Sequence, residues 1–203
     1  MESAEHTAAQ WQTLRSQPAA FAHARRIVRA FDGLIGDEHA SKLREEERFR
    51  DRLSGLLVQT YAISDDFGHE APSAASRSFA LTPSADLEAL VRQFGAVYWA
   101  RTIVGTIEAA AVVALKQQLG GDCYAAAIAH RDLAGPESAP AGQDLGDAVT
   151  SAGLRCLAAW CARQPAGIAQ RIRLKLPGCA ALDEPVMPPF DEAGPRIVDR
   201  LIA

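Results

Sequence analysis

The sequence predicts an all-α fold: a compact multi-helix domain with an N-terminal helical arm and a short extended segment near the C-terminus. Three observations support this prediction. Most of the chain carries apolar residues three and four positions apart, the spacing of a helix face. Glycine and proline separate these stretches, as they commonly do between helices. One short run, Ile172–Leu176, alternates instead between apolar and basic residues.

The composition is typical of a globular protein with a sizeable core. The 203 residues are 48% hydrophobic and 23% charged. A formal net charge of -4 argues against a general binder of nucleic acid or anionic membranes. No segment approaches the roughly 18 consecutive apolar residues of a membrane span, and the acidic start lacks the features of a secretory signal. We therefore expect a cytoplasmic protein with no direct membrane insertion and no nucleic-acid partner.

Residues 1–64 are expected to form the N-terminal helical arm. A first helical stretch runs from Thr7 to Phe31, with a restart at Pro18, and a second runs from Glu38 to about Ala62. Within the second, Lys42–Arg52 mixes acidic and basic residues whose (i, i+4) pairs support an exposed helix. This charge is interpreted either as a solvated face or as a surface that binds a partner protein. The arm's partner-binding candidates are Arg44, Arg48, Arg52 and Trp11; the tryptophan has weak apolar support in its helix and would dock on the body or on a partner.

Residues 65–81 are predicted to be a loop or linker, because they lack helical periodicity and contain proline, glycine and several serines. The helical body then covers residues 82–203, and we expect the chain to form one globular domain overall. Its first helix follows Thr82-Pro83 and presents a core-facing stripe of Leu87, Leu90, Val91 and Phe94.

The rest of the body is predicted as a series of helices. Ala109–Leu115 is apolar on nearly every face and is expected to be the central buried element. A short helix follows from Asp122 to Leu133, another begins at Asp144, and the last covers about Pro195 to Ile202. The remaining two tryptophans of the chain, Trp99 and Trp160, fall within apolar periods and are assigned to the core.

The alternating run supplies the other candidate surface. Arg171, Arg173 and Lys175 lie on one side of the predicted extended segment, and its apolar residues lie on the other. One interpretation is an edge segment whose cations keep it soluble. The other is a basic strip that binds an acidic patch on a protein partner and sets its orientation.

Motifs that would indicate an enzyme are missing. The nucleophile elbow, the phosphate-binding loop and the dinucleotide-binding glycine pattern do not occur. The five histidines are scattered, and the four cysteines lack metal-ligand spacing, so we expect no catalytic residue, metal or cofactor and mostly buried thiols. The alternative is a small helical ligand-binding protein or enzyme whose pocket collects His130, Asp132 or Tyr124. A transcriptional regulator would need a basic recognition helix, which the sequence lacks.

The order and spacing of several segments resemble the SctK/YscK family of type III secretion accessory proteins. The matching segments are Asp86–Gly95, Ala100–Ile103, Ala126–Gly135, Ser151–Trp160 and Arg171–Pro177. The resemblance implies a non-catalytic cytoplasmic adaptor of the injectisome sorting platform, docked at the cytoplasmic face of the inner-membrane secretion apparatus. Its implied partners are the cytoplasmic domain of the inner-membrane ring protein (SctD-like) and the pod protein (SctQ-like). The charged N-terminal arm differs from the start typical of the family.

Overall fold

The computed structural model describes residues 2–69, 72–139 and 144–203. Within these ranges the chain is helical and contains no β-strand, which confirms the all-α prediction. Short 3₁₀ turns cover Pro18–Phe21 and Arg131–Leu133. The helices of the described ranges are α1 Glu2–Ser16, α2 Ala24–Ala30, α3 Asp37–Glu45, α4 Glu47–Thr60, α5 Ala74–Leu81, α6 Ser84–Tyr98, α7 Ala100–Gly105, α8 Ala109–Leu119, α9 Gly121–Ala129, α10 Leu145–Cys161, α11 Ala166–Leu174, α12 Ala180–Asp183 and α13 Phe190–Ile202.

The chain forms two compact units, and each is built from two separate segments. Unit 1 comprises residues 1–87 and 164–179, and unit 2 comprises residues 88–163 and 180–203. These units divide the chain at other positions than the arm, linker and body expected from the sequence. In unit 1 the N-terminal helices pack against the later segment, which includes α11.

Unit 1 is organised around the 3₁₀ turn at Pro18–Phe21, against which α1, α3, α4 and α11 pack. The helix starts follow local capping chemistry: the Ser73 hydroxyl accepts a hydrogen bond from the backbone N–H of Ser76, at 3.0 Å, and so begins α5. A buried cluster joins the early helices to the end of α11. Its members are Ala19, Ala22, Ile27, Ala40, Leu53, Leu57, Ile63 and Leu174.

Unit 2 is organised around α10, which packs against α12 and α13. The Asp144 carboxylate caps α10 by accepting from the backbone N–H of Asp147, as the sequence indicated. Helix α6 crosses α10 in backbone contact: a Cβ at Gly95 would lie 1.8 Å from the Val149 carbonyl oxygen, and one at Gly153 would lie 1.8 Å from that of Val91. Trp99 and Trp160 are buried, which confirms their assignment to the core.

Three sequence predictions are wrong. The predicted linker, residues 65–81, contains helix α5. The Ser73 hydroxyl caps the start of this helix, although a serine-rich composition is more typical of a loop. The Ala109–Leu115 segment is exposed or half-buried along its length, since apolar composition alone does not distinguish a core helix from one that meets solvent. The predicted extended segment Ile172–Leu176 begins inside α11 and continues as a helical turn at Lys175.

Candidate interaction surfaces

The predicted basic strip does not exist as an exposed surface. Arg171 and Lys175 are each only 1% exposed. The alternation covers only five residues, too few to separate a strand period from a helix period. Because residues four apart lie on one helix face, the helix places both cations on the side that faces the interior of unit 1. They are therefore structural groups, and we do not retain them as partner-binding residues.

Arg171 is held by backbone carbonyl oxygens from three parts of unit 1. Its guanidinium donates to the carbonyls of Leu14 at 3.0 Å, Arg15 at 2.7 Å, Ser64 at 2.7 Å and Gly167 at 3.1 Å. It also donates to the exposed Asp65 carboxylate at 3.2 Å. Burial lowers the pKa of Arg171, while the Asp65 hydrogen bond opposes that shift. The guanidinium therefore joins α1, the loop after α4 and α11.

Lys175 has a similar role at the end of α11. Its ammonium donates to the carbonyl oxygens of Ala80, at 2.5 Å, and Thr82, at 2.9 Å. No carboxylate contributes to these two bonds, and burial lowers the pKa of Lys175 to about 8. A third buried cation, Arg26, donates from α2 to the carbonyls of Leu176 and Arg173. Buried cations bonded to backbone oxygens thus attach residues 171–176 to the N-terminal helices.

The depressed pKa of Lys175 predicts a stability that rises with pH. Between about 8 and the usual 10.5, the unfolded chain binds more protons than the folded one at this site, so raising the pH favours the folded state. We expect wild type to gain about 3 kcal/mol in free energy of unfolding relative to Lys175→Met across this interval. Urea unfolding at a series of pH values measures the difference. The variant serves as the reference because it retains every other titrating group, and parallel profiles would contradict the prediction.

The remaining basic candidates have different surroundings. Arg173 is half-buried. Arg44 is half-buried and donates to the Ala22 carbonyl at 3.1 Å, which fixes α3 against the end of the 3₁₀ turn. Arg48 and Arg52 are exposed; Arg48 pairs with Glu46 at 3.5 Å and lies over its neighbouring phenylalanine ring. The structure does not bring Arg44, Arg48, Arg52 and Arg173 together in one surface with the buried Arg171 and Lys175. Binding of a partner by these four arginines stays a prediction.

Trp11 is half-buried and docks within unit 1. Its ring makes an edge contact with Phe67, with centroids 6.0 Å apart. Phe67 also lies under the guanidinium groups of Arg15 and Arg171, 4.6 and 4.7 Å from its centroid. The sequence left open whether Trp11 docks on the body or on a partner; the ring contacts Phe67 within unit 1, and its binding of a partner stays a prediction. One side of the tryptophan still borders a cleft.

Unit 2 exposes large apolar side chains that the sequence pattern did not indicate. Ile107, just before α8, is 93% exposed, Val113 on α8 is 55% exposed, and Ile128 on α9 is 44% exposed. Helices α8 and α9 pack together, and α8 has no charged residue before Lys116. We use the name α8–α9 surface for these three exposed side chains, Ile107, Val113 and Ile128, which lie on or next to the two packed helices. The uncharged first turns of α8 are compatible with burial in the core and with an exposed apolar face, and the structure shows the exposed face.

Three hollows are lined by described residues of unit 2, and of the residues expected of the alternative pocket protein only Asp132 lines one of them. One hollow of about 230 Å³ is lined by Asp132 together with Arg101, Glu192 and Arg196, and neither His130 nor Tyr124 lines it. Two others, of about 150 and 190 Å³, share Arg155 and Phe190. In the described ranges, no group of three His, Cys, Asp or Glu side chains is placed to hold a metal ion.

Tyr98 is a buried titratable group beside these hollows. Its ring stacks on Phe190 with centroids 4.2 Å apart. Burial, together with the Glu137 carboxylate, raises the pKa of Tyr98 to about 12, so its hydroxyl stays protonated at neutral pH. Three cysteines, Cys123, Cys156 and Cys161, are buried, and burial raises the pKa of Cys156 far above the usual thiol range. This protonated state makes Cys156 a weak nucleophile.

The fold is that of an all-α protein with exposed apolar helices, and residues 8–201 match a family of translocation proteins, described as YOP proteins translocation protein K (YscK). The match spans nearly the whole chain. The chain belongs to the YscK family, and it is therefore a type III secretion protein. No curated protein and no solved structure matches it. Among the helices of the described ranges, none combines the length and hydropathy needed to cross a bilayer.

Proposed function

We propose that this protein is a non-catalytic cytoplasmic adaptor of the injectisome sorting platform. In this role it bridges the cytoplasmic domain of the inner-membrane ring protein (SctD-like) and the pod protein (SctQ-like), at the cytoplasmic face of the inner membrane. Membership of the YscK family supports a place in the secretion apparatus. The chain also divides into two compact helical units, so each unit can offer a surface to one partner.

The observation that carries this proposal is the α8–α9 surface. In a monomeric protein, large apolar side chains are usually buried in the core, because burying each one stabilises the folded state by about 1.5–3 kcal/mol. Ile107 is almost fully exposed, and Val113 and Ile128 are about half exposed. A partner protein that covers them would recover this free energy. Contiguous exposed apolar patches often mark protein–protein interaction sites, and the packing of α8 against α9 brings together the helices that carry Val113 and Ile128.

Substituting the α8–α9 surface is expected to remove one partner and spare the other. In the triple variant Ile107→Ser, Val113→Gln, Ile128→Gln, we expect affinity for either the ring domain or the pod protein to fall at least tenfold. A tenfold change corresponds to about 1.4 kcal/mol, and burying one side chain of this kind stabilises by about 1.5–3 kcal/mol. Purified partners and isothermal titration measure both affinities.

The matched control is Leu34→Gln. Leu34 is 86% exposed and lies in unit 1, so this change removes an apolar group of similar exposure from another surface. We expect both affinities to be retained. If the triple variant is folded by circular dichroism and binds both partners like wild type, the α8–α9 surface has no role in bridging.

A further inference from the structure

A cleft in unit 1 combines cations with aromatic rings. Helix α1 supplies Trp11 and Arg15, one turn apart, and helix α5 supplies Arg77. Phe67, Gly68, His69 and Pro72 complete the described lining, and the cleft volume is about 300 Å³. That volume lies at the lower limit for small-molecule sites, so it suits one or two side chains of a peptide better than a cofactor.

The base of the cleft is fixed before any ligand binds. The Phe67 ring is contacted by the edge of Trp11 and by two guanidinium groups, those of Arg15 and Arg171. The loop that carries Phe67 is held in turn, because Arg171 donates to the Ser64 carbonyl and the Gly68 N–H donates to the Asp66 carboxylate at 2.9 Å. A preorganised site loses less conformational entropy on binding.

The described cations of the lining favour a negatively charged ligand. Arg15, His69 and Arg77 are exposed, whereas the two carboxylates just before Phe67 already accept hydrogen bonds, Asp65 from Arg171 and Asp66 from the Gly68 N–H. Guanidinium groups bind carboxylates through paired, charge-assisted hydrogen bonds. The rings of Trp11, Phe67 and Pro72 offer an apolar wall for a neighbouring side chain.

From these observations we propose that the cleft binds an acidic peptide segment of a protein partner, in which carboxylates contact Arg15 and Arg77 and an adjacent aromatic or aliphatic side chain packs against Trp11. The site lies in unit 1, whereas the α8–α9 surface lies in unit 2. The inference rests on the proposed function only in that the ligand belongs to a protein, and it can be tested without the ring or pod protein.

The test begins with random twelve-residue peptides displayed on phage and selected on the full chain. We expect the selected peptides to be enriched in Asp or Glu next to an aromatic or aliphatic residue. The most enriched peptide is then synthesised with a fluorescein label, and its binding is followed by fluorescence anisotropy. We expect Arg15→Ala/Arg77→Ala to weaken binding at least tenfold, and raising the salt concentration to weaken binding to wild type, because surface charge pairs are screened.

The charge-matched control is Arg25→Ala/Arg29→Ala, which removes two exposed cations from α2 in the same unit and should leave binding unchanged. Because Arg15 also contacts Phe67, the single variant Arg77→Ala gives a second measurement that does not disturb that contact; we expect it to weaken binding at least threefold. Enrichment without acidic residues would overturn the inference, as would equal binding by the Arg15/Arg77 and Arg25/Arg29 variants. Such a failure would leave the affinities for the ring and pod proteins, and hence the proposed function, unaffected.

Discussion

Replacing Arg171 with methionine is expected to lower the free energy of unfolding by about 3–5 kcal/mol, because several buried carbonyl oxygens lose a hydrogen bond and each such loss costs about 1–3 kcal/mol. Methionine fills much of the same volume but donates no hydrogen bond. The carbonyl oxygens of Leu14, Arg15 and Ser64 would lose their bonds to the guanidinium inside unit 1. Chemical unfolding followed by circular dichroism measures the loss.

Two further substitutions make this experiment specific. Arg171→Lys keeps the charge but not the planar guanidinium, so we expect it to recover only a minor part of the lost stability. Arg52→Ala removes an exposed arginine from α4 and should change stability by less than about 0.5 kcal/mol. A methionine variant as stable as the Arg52 variant would show that the buried guanidinium does not hold unit 1 together.

Introducing alanine at Gly95 or Gly153 is expected to destabilise unit 2 by about 3 kcal/mol or more, at the upper end of overpacking effects. Each added methyl group would overlap a backbone carbonyl of the opposite helix, which cannot rotate away as a side chain can. Helices α6 and α10 would therefore have to separate along their crossing. Thermal unfolding measures the cost, and the fluorescence of buried Trp99 and Trp160 reports the altered packing.

Gly55→Ala is the matched control for this prediction. Gly55 lies within helix α4, and a Cβ there would meet no atom within 4 Å. We expect this variant to gain about 0.5–1 kcal/mol, since alanine is the better helix former. If alanine at Gly95 and Gly153 has the same effect as at Gly55, the close helix crossing is not required for stability.

The sequence was sufficient to predict the fold class and much of the core. Helical spacing identified the buried stripe of α6, with Leu87, Val91 and Phe94 in the interior and Leu90 half-buried. The capping residue Asp144 also located the start of α10. These features are local, because each depends on residues within one or two helical turns. Features that depend on such short stretches of chain can be predicted from a single sequence.

The interaction surfaces were less predictable because they depend on residues far apart in the chain. Arg171 looked like an exposed charge, and nothing near it in sequence indicates that carbonyls from α1 and the loop after α4 surround it. Conversely, Val113 looked like a core residue although it faces solvent. The hydrophobicity of a side chain indicates that its burial is favourable. It does not distinguish burial in the protein's own core from burial in an interface with a partner.

The position of Arg171 has a consequence for synthesis of the protein. It is incorporated 157 residues after Leu14, whose carbonyl it binds. A ribosome therefore exposes the first helices of unit 1 well before the guanidinium that joins them has been translated. Until then the N-terminal part of unit 1 lacks the hydrogen bonds from Arg171 that join its segments, and it remains a substrate for chaperones or proteases. Gene fragments that stop ahead of codon 171 would produce the same unfinished state permanently.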